Sequence, residues 1–154
     1  MKIRIANDSD KPQLKQIRLG LEDDHIVYRL DAQSRGAAEY LVAEDNGELV
    51  AFLFLKFTDK ATHPEYPDIE DLFTRLDKRR HGYATALLLE CERRAKERGF
   101  QKIGLAAGPD PTDPGHQLYV KLGYRHDGKE SYVDGVYDGV EDWVIDMEKN
   151  LPND

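Results

Sequence analysis

The sequence is poor in cysteine: Cys91 is the only one among 154 residues, so no disulfide can form within the chain. A chain without disulfides suits a reducing compartment, and we expect a cytoplasmic protein. Cys91 lies on the apolar side of a predicted helix, where a small buried side chain is expected rather than a nucleophile.

Long apolar runs are also absent, although hydrophobic residues make up 40% of the chain. A membrane-spanning helix needs about 20 predominantly apolar residues in a row, so we predict none. Met1–Ile5 lacks the apolar centre of a signal peptide and its alternation predicts a strand.

Positive charge is scarce, because the chain has 22 Lys and Arg residues but 30 Asp and Glu residues, which gives a net charge of −8. This balance argues against nucleic-acid binding, which draws on clustered cations. It is compatible with a cationic partner or simply with solubility. The five histidines are scattered without metal-ligand spacing, so no metal site is predicted.

The most informative stretch of the sequence is a predicted strand, basic turn and helix. Asp68–Thr74 has the residue mix of a strand, and Arg79–Thr85 is a tight basic turn. The helix begins at Tyr83 and is expected to end at Gly99. Its apolar residues recur at steps of three and four positions: Ala84, Leu87, Leu88, Cys91 and Ala95.

The start of this helix is suited to binding a phosphate group. The first backbone amides of a helix have no internal partner, and the helix dipole adds partial positive charge there. Gly82 allows close approach to the backbone, Ala84 keeps the next turn small, and Arg79, Arg80 and His81 add donors. The turn matches neither the P-loop nor the dinucleotide motif.

The spacing Arg79-x-x-Gly82-x-Ala84 matches the pattern Q/R-x-x-G-x-G/A. In this it resembles the pyrophosphate-binding motif of the GNAT superfamily of acyl-CoA-dependent N-acyltransferases. The same residues would also suit a basic helix start with a purely structural glycine.

The order of the preceding elements extends the resemblance. Asn46-Gly47 between apolar runs is a strong hairpin signal, and the apolar run Ala51–Phe57 predicts a central strand covered on both faces. The predicted elements are a strand at Lys2–Ala6, a helix carrying Leu14, Ile17 and Leu21, an acidic connection at Glu22–His25, a helix at Ile26–Ala32, strands at Glu39–Glu44 and Glu48–Phe57, and a loop at Thr58–Pro67.

The elements after the turn complete the order. They are a strand at Gln101–Ala107, a helix capped by Asp113 that runs from Pro114 to about Leu122, strands at Tyr124–Val133 and Val140–Glu148, and a turn region at Asp134–Gly139. The whole order resembles the GNAT fold, of the α/β class. It implies one domain over residues 1–154, with a mixed, mostly antiparallel sheet of about seven strands and helices on both faces.

A second family motif falls on the last predicted helix. Leu118–Tyr124 resembles the closing half of N-x-x-A-x-x-x-Y-x-x-x-G-F, whereas Thr112 and Gly115 depart from its opening half. The resemblance implies that Tyr119 is a general acid, since a phenol with a pKa of about 10 stays protonated at neutral pH. The alternative is a residue that only packs against the coenzyme arm.

The resemblance implies an N-acetyltransferase that moves an acetyl group from acetyl-CoA to a primary amine by direct attack. Glu70 is the candidate base, acting directly or through water, and the alternative is a solvated strand residue. The residues implied to bind the coenzyme, largely through their backbone, are Leu72, Phe73, Thr74, Arg79, Arg80, His81, Gly82, Tyr83, Ala84 and Thr85.

The acceptor is expected to be a small-molecule or peptide amine, with no nucleic acid and no membrane as partner. By resemblance, its pocket lies between the first two helices, the Thr58–Pro67 loop and the last hairpin. Acidic residues at these edges would favour a cationic amine such as a polyamine, an aminoglycoside or a Lys side chain. The alternative is that they are only solvated loop charges. These residues are Glu22, Asp23, Asp24, Asp31, Glu65, Asp134 and Asp138.

Two other functions stay open. The chain could be a non-catalytic GNAT-fold module that binds acyl-CoA or a partner, or a nucleotide-phosphate binder that uses the same turn. A homodimer is also open, since the C-terminal strand with Trp143 could pair across an interface; a buried core tryptophan is the alternative.

Overall fold

The protein is described by a computed structural model over residues 1–152. In chain order the elements are β1 (Lys2–Ile5), α1 (Lys11–Ile17), α2 (Asp23–Ser34), β2 (Ala38–Asp45), β3 (Glu48–Lys56), β4 (Asp68–Thr74), α3 (Tyr83–Glu97), β5 (Lys102–Ala107), α4 (Pro114–Lys121), β6 (Arg125–His126), β7 (Tyr132–Tyr137) and β8 (Val140–Asn150). Within residues 1–152, no helix has the length and apolar character needed to cross a bilayer.

The strands form one mixed sheet in the order β1-β2-β3-β4-β5-β8-β6, and β7 also pairs with β8. Every pair is antiparallel except β4 with β5. Asn46 and Gly47 both have positive φ at the β2–β3 turn, as expected of a two-residue hairpin. The expected mostly antiparallel sheet is therefore confirmed.

Helices cover both faces of the sheet, and β3 contributes to both cores. Leu53 and Leu55 pack into the core that contains Cys91 and the apolar residues of α3. Phe52 and Phe54 alternate with them and pack into the core formed with α1 and α2. This alternation confirms that the apolar run of β3 is a central strand buried on both sides.

The boundaries of the first two helices differ from the prediction. The helix α1 ends at Ile17, and Leu21 is buried in the connection rather than on the helix. Arg18 is extended and Gly20 has a φ of 87°, which stops the helix before Leu21. The helix α2 begins at Asp23, inside the predicted acidic connection, because acidic residues in a first turn favour the helix dipole.

The predicted strand Tyr124–Val133 is wrong. The segment contains the two-residue strand β6 and the start of β7, separated by a turn at Gly128 with a φ of 87°. The predicted turn at Asp134–Gly139 is also too long, since β7 continues to Tyr137 and the turn is only Asp138-Gly139. The sheet therefore has eight strands rather than about seven.

The parallel pairing of β4 with β5 is short and positions the site. Asp68 pairs with Gly104 and Ile69 with Leu105, and no further residues of the two strands are in register. On its other side β4 shifts register against β3, because Glu70 pairs with Phe54 but Phe73 pairs with Phe52. One extra residue of β4 is accommodated there, so β4 bends away from β5.

Candidate active site

The bend in β4 is made by Asp71, whose φ of 52° is left-handed. Its Oδ2 accepts hydrogen bonds from Arg18 Nη2 at 2.6 Å and Arg29 Nη2 at 2.8 Å. Arg18 follows α1 and Arg29 lies within α2. Two ion pairs therefore hold the bulge of β4 against the first two helices.

Arg29 is itself fixed by aromatic residues of the sheet. Its Nη1 donates to the hydroxyl of Tyr40 at 3.1 Å. Its guanidinium lies 5.2 Å from the centre of the Tyr40 ring and 5.6 Å from that of Phe54. Since only 12% of its side chain is exposed, this cation depends on its protein partners.

A cavity of about 720 Å³ opens where β4 and β5 separate. Glu70 and Leu72 line it from β4, and Tyr119 lines it from α4. The β7–β8 hairpin closes another side with Asp142 and Val144. The cavity thus brings together the two residues that the sequence suggested as base and acid.

Glu70 faces this cavity without a hydrogen bond or ion pair to any other residue in the range 1–152. Burial raises the pKa of its carboxyl above the ordinary value, and the Asp68 carboxylate two residues earlier raises that pKa further. Lys56, Lys60 and Arg29 offset part of this shift. The result is a carboxylate whose proton affinity is moved towards that of a general base at neutral pH.

Tyr119 is placed by α4 over the opening between the strands. Burial raises the pKa of its phenol, so the hydroxyl keeps its proton at neutral pH. The ring packs edge-on against Tyr124, with ring centres 6.2 Å apart. His116, one turn earlier, donates Nδ1–H to the Gly108 carbonyl at 2.9 Å and ties α4 to the end of β5.

The predicted phosphate site is the exposed turn before α3. Gly82 has a φ of 81° and occupies the N-cap position. The first hydrogen bond of the helix is donated by Ala86 to the Gly82 carbonyl at 3.0 Å. The amides of Tyr83, Ala84 and Thr85 have no backbone or capping partner among the described residues. Three adjacent N–H groups therefore remain available to an anion.

Two basic side chains of the turn contact the chain itself. The Arg79 guanidinium lies 5.1 Å from the Phe73 ring centre, and its Nε donates to the Thr74 carbonyl at 3.3 Å. His81 donates Nδ1–H to the Lys78 carbonyl at 3.0 Å. Arg80 is exposed with a left-handed φ of 68°. The backbone amides and the exposed Arg80 are thus the donors left for an anion, and Arg79 links the turn to the end of β4.

The coenzyme residues proposed on β4 lie beyond its pairing with β5. Leu72, Phe73 and Thr74 follow the bulge, and Phe73 and Thr74 pair with β3 on the other side. Their remaining edge faces the opening left by β5. Backbone groups on that edge have the position needed to pair with an extended ligand.

One buried cluster near the site was missed by sequence reasoning. His63 in the 58–67 loop lies with its Nε2 3.0 Å from Asp68 Oδ1, and its ring stacks on Tyr66 at 4.2 Å. Burial is the largest single influence on the pKa of His63 and lowers it, but the hydrogen bond and charge of Asp68, the Tyr66 carbonyl and the charge of Asp146 together outweigh burial, so the pKa is raised. A Cβ at Gly104 would lie 2.9 Å from the Tyr66 ring, so glycine permits this packing. No local spacing in the sequence indicates it.

The charges around the cavity differ from those predicted. Of the seven acidic residues expected at its edges, only Asp134 lines it. Four basic side chains also line it: Arg18, His25, Arg29 and Lys60. The residues expected to make the pocket acidic are therefore wrong apart from Asp134, but Asp68, Glu70, Asp71 and Asp142 also line the cavity, so its wall still contains five acidic side chains. Among the residues that the structure describes, no group of three or more His, Cys, Asp or Glu side chains could hold a metal ion.

The sheet opens between β4 and β5, and a helix start with free amides follows β4. A carboxylate and a phenol line this opening, so the arrangement is suited to acyl transfer. Residues 6–124 match the model of the acetyltransferase (GNAT) family. The chain belongs to this family.

Solved structures with the same fold cover nearly the whole chain. A ribosomal-protein-alanine N-acetyltransferase from Brucella melitensis is 19% identical, with a TM-score of 0.80 and coverage of 98% of this chain and 100% of that one. A putative acetyltransferase from Salmonella typhimurium with its cofactor acetyl-CoA is 16% identical, with a TM-score of 0.79 and coverage of 100% and 95%.

A third structure is a phosphinothricin acetyltransferase from Sinorhizobium meliloti in complex with acetyl-CoA. It is 19% identical, with a TM-score of 0.77 and coverage of 97% of this chain and 88% of that one. At these identities the likeness establishes the fold alone. No curated protein sequence matches the chain.

The ion pairs of Asp71 generate a stability prediction. In Asp71→Asn the left-handed backbone is retained, since Asn tolerates it, but Arg18 and Arg29 lose their carboxylate. We expect the free energy of unfolding in urea to fall by about 1–3 kcal/mol.

The control is Asp31→Asn, which breaks the exposed pair with Arg35. This variant should change the free energy of unfolding by less than about 0.5 kcal/mol. Equal effects of the two substitutions would contradict a structural role of the Asp71 pairs.

Proposed function

We propose that the chain transfers an acetyl group from acetyl-CoA to a primary amine of a small molecule or peptide. The observation that carries the proposal is the single cavity shared by Glu70 and Tyr119, where β4 leaves β5. Family membership supports the class of reaction. Structures of the same fold with acetyl-CoA support the choice of donor.

The residues present fit acetyl-CoA. The unpaired amides of Tyr83, Ala84 and Thr85 would hold the diphosphate, helped by the dipole of α3. The open edge of β4 at Leu72–Thr74 would pair with the amide groups of the pantetheine arm. Bound in this way, acetyl-CoA would supply an acetyl group already activated as a thioester.

Two side chains would handle the protons. Glu70 would accept a proton from the acceptor ammonium group, directly or through a water molecule. Tyr119 would donate its proton to the CoA sulfur as the bond between that sulfur and the acetyl carbon breaks. Cys91 is fully buried and burial raises the pKa of its thiol, so it is not available as a nucleophile. The unavailability of this thiol supports the proposal that the amine attacks the thioester directly.

The experiment is a CoA-release assay with purified protein, acetyl-CoA and a broad panel of amines. We expect turnover with some amines well above the rate of acetyl-CoA hydrolysis. A non-catalytic module would bind acetyl-CoA, as measured by calorimetry, and release no CoA with any amine. A nucleotide-phosphate binder would prefer ATP to acetyl-CoA in a thermal-shift competition.

Tyr119→Phe removes the proton held by the phenol and keeps the ring that packs on Tyr124. We expect kcat to fall by about 10²- to 10⁴-fold, the usual contribution of a general acid, with little change in the Kd of acetyl-CoA. Tyr28→Phe, at an exposed position on α2, should leave both quantities unchanged. Wild-type turnover of Tyr119→Phe across the pH range would exclude the acid role.

Glu70→Gln tests the base through the pH dependence of kcat. Because the pKa of Glu70 is raised, its basic form is lost as pH falls through a value above the ordinary carboxyl range. The wild type should therefore lose activity there, and Glu70→Gln should have lower kcat without this acid limb. Acceptors with different amine pKa values distinguish the ionisation of the substrate amine from that of Glu70.

The matched control for this measurement is Glu65→Gln, at an exposed position of the 58–67 loop. It should keep the wild-type profile. An unchanged kcat profile in Glu70→Gln would mean that water alone accepts the proton.

A homodimer through the β7–β8 hairpin is also part of this proposal. Trp143 is not a core residue, since 51% of it is exposed, and Val136, Tyr137 and Val140 are more exposed still. Burial of these side chains against a second copy would remove apolar area from water. Sedimentation should give a dimer for the wild type and a monomer for Trp143→Ser, whereas a monomeric wild type would refute the dimer.

A further inference from the structure

We propose that the acceptor amine also carries a carboxylate, which Arg18 binds at the α1–α2 end of the cavity. This inference rests on the proposed function, because it names the substrate class of the same site. It differs from the cationic amine that the acidic residues of the sequence suggested as one possibility.

The first observation is an excess of positive charge at this end of the cavity. Arg18 and Arg29 both donate to one oxygen atom of Asp71, so two guanidinium groups share a single negative charge. Arg29 is further occupied by the Tyr40 hydroxyl. His25, at the start of α2, lines the same end. Glu70 offsets part of this positive charge, and an additional anionic group would balance the rest.

The second observation is a buried donor without a partner. The Nε of Arg18 is buried and has no hydrogen-bond partner among the described residues. Buried polar groups are nearly always paired, so an unpaired donor on a side chain that lines the cavity points to a ligand atom that would contact Nε once bound. A guanidinium presents its N–H groups in a planar fork that fits a carboxylate in two-point contact. Arg18 Nη2 donates one of its two N–H groups to Asp71, so a two-point contact would use Nε–H and the other N–H of Nη2.

The third observation is the opposite charge elsewhere in the cavity. Glu70 on β4 and Asp142 on β8 line the cavity and form no ion pair with another residue in the range 1–152. Lys60 lies 3.3 Å from Asp134 and 3.9 Å from Asp68, so this cation is already balanced. The cavity wall therefore carries the unpaired carboxylates of Glu70 and Asp142 together with Arg18, whose Nε is unpaired, and this combination suits a zwitterion.

The first arm of the test compares matched amines in the CoA-release assay. Each amino acid is paired with its carboxamide, for example glycine with glycinamide, β-alanine with its amide and phenylalanine with its amide. Rates are corrected for the fraction of neutral amine. We expect kcat/KM of the best carboxylate to exceed that of its amide by about tenfold or more.

The second arm uses variants of Arg18. Arg18→Lys keeps a cation for Asp71 but lacks the Nε–H donor, and Arg18→Gln removes the charge as well. Both should reduce the carboxylate-to-amide ratio of kcat/KM towards one, with the KM of acetyl-CoA unchanged. Arg35→Gln, an exposed arginine just after α2, should keep the wild-type ratio. Thermal unfolding identifies variants that fail to fold. If Arg18→Gln fails to fold, the carboxylate-to-amide ratios of Arg18→Lys and the wild type decide whether Arg18 binds the carboxylate.

The outcomes separate this inference from the proposed function. Turnover with carboxamides or polyamines equal to or better than that with amino acids would overturn the inference and leave the acetyltransferase intact. A carboxylate preference that survives in Arg18→Lys and Arg18→Gln would also overturn it, and Arg18 would then only hold Asp71. No CoA release with any amine would overturn the proposed function and the inference together.

Discussion

The separation of β4 from β5 is the constraint on which the rest of the site depends. The two strands pair only at Asp68 and Ile69, because the left-handed Asp71 turns β4 aside. A bulged strand interior leaves backbone groups without strand partners, so the bend must be stabilised from outside. Arg18 and Arg29 provide this stabilisation from α1 and α2. The helices of one face therefore maintain the opening that a ligand would enter.

Burial shifts the pKa of two side chains in this opening in the same direction, but the chemical consequences for a carboxyl and a phenol are opposite. It raises the pKa of Glu70 and of Tyr119. A carboxylate with a raised pKa accepts protons better near neutral pH, whereas a phenol with a raised pKa keeps its proton. Under the proposed function, burial in this one cavity would thus prepare both a base and an acid.

Local signals in the sequence predicted most of the fold and part of the site. The Asn46-Gly47 turn, the apolar run of β3 and the periodicity of α3 were sufficient to predict those elements, and Gly82 marked the turn at which we propose that the diphosphate binds. The bulge was not predicted, because its left-handed residue is Asp71 rather than the glycine that usually marks such a position. Its partner Arg18 is also 53 residues away in the sequence. The break between β6 and β7 falls at Asp127-Gly128, a turn signal that the prediction of one continuous strand overlooked. Contacts between distant side chains, such as His63 with Asp68, depend on how the loop packs rather than on spacing.

The central claim is that the diphosphate of the coenzyme binds the first amides of α3 and that its arm lies along the open edge of β4. A backbone-amide NMR titration with CoA tests it most directly. We expect saturable chemical-shift changes concentrated at Tyr83, Ala84, Thr85 and Leu72–Thr74. Saturable changes confined to other parts of the chain, or no saturable change at all, would contradict the account.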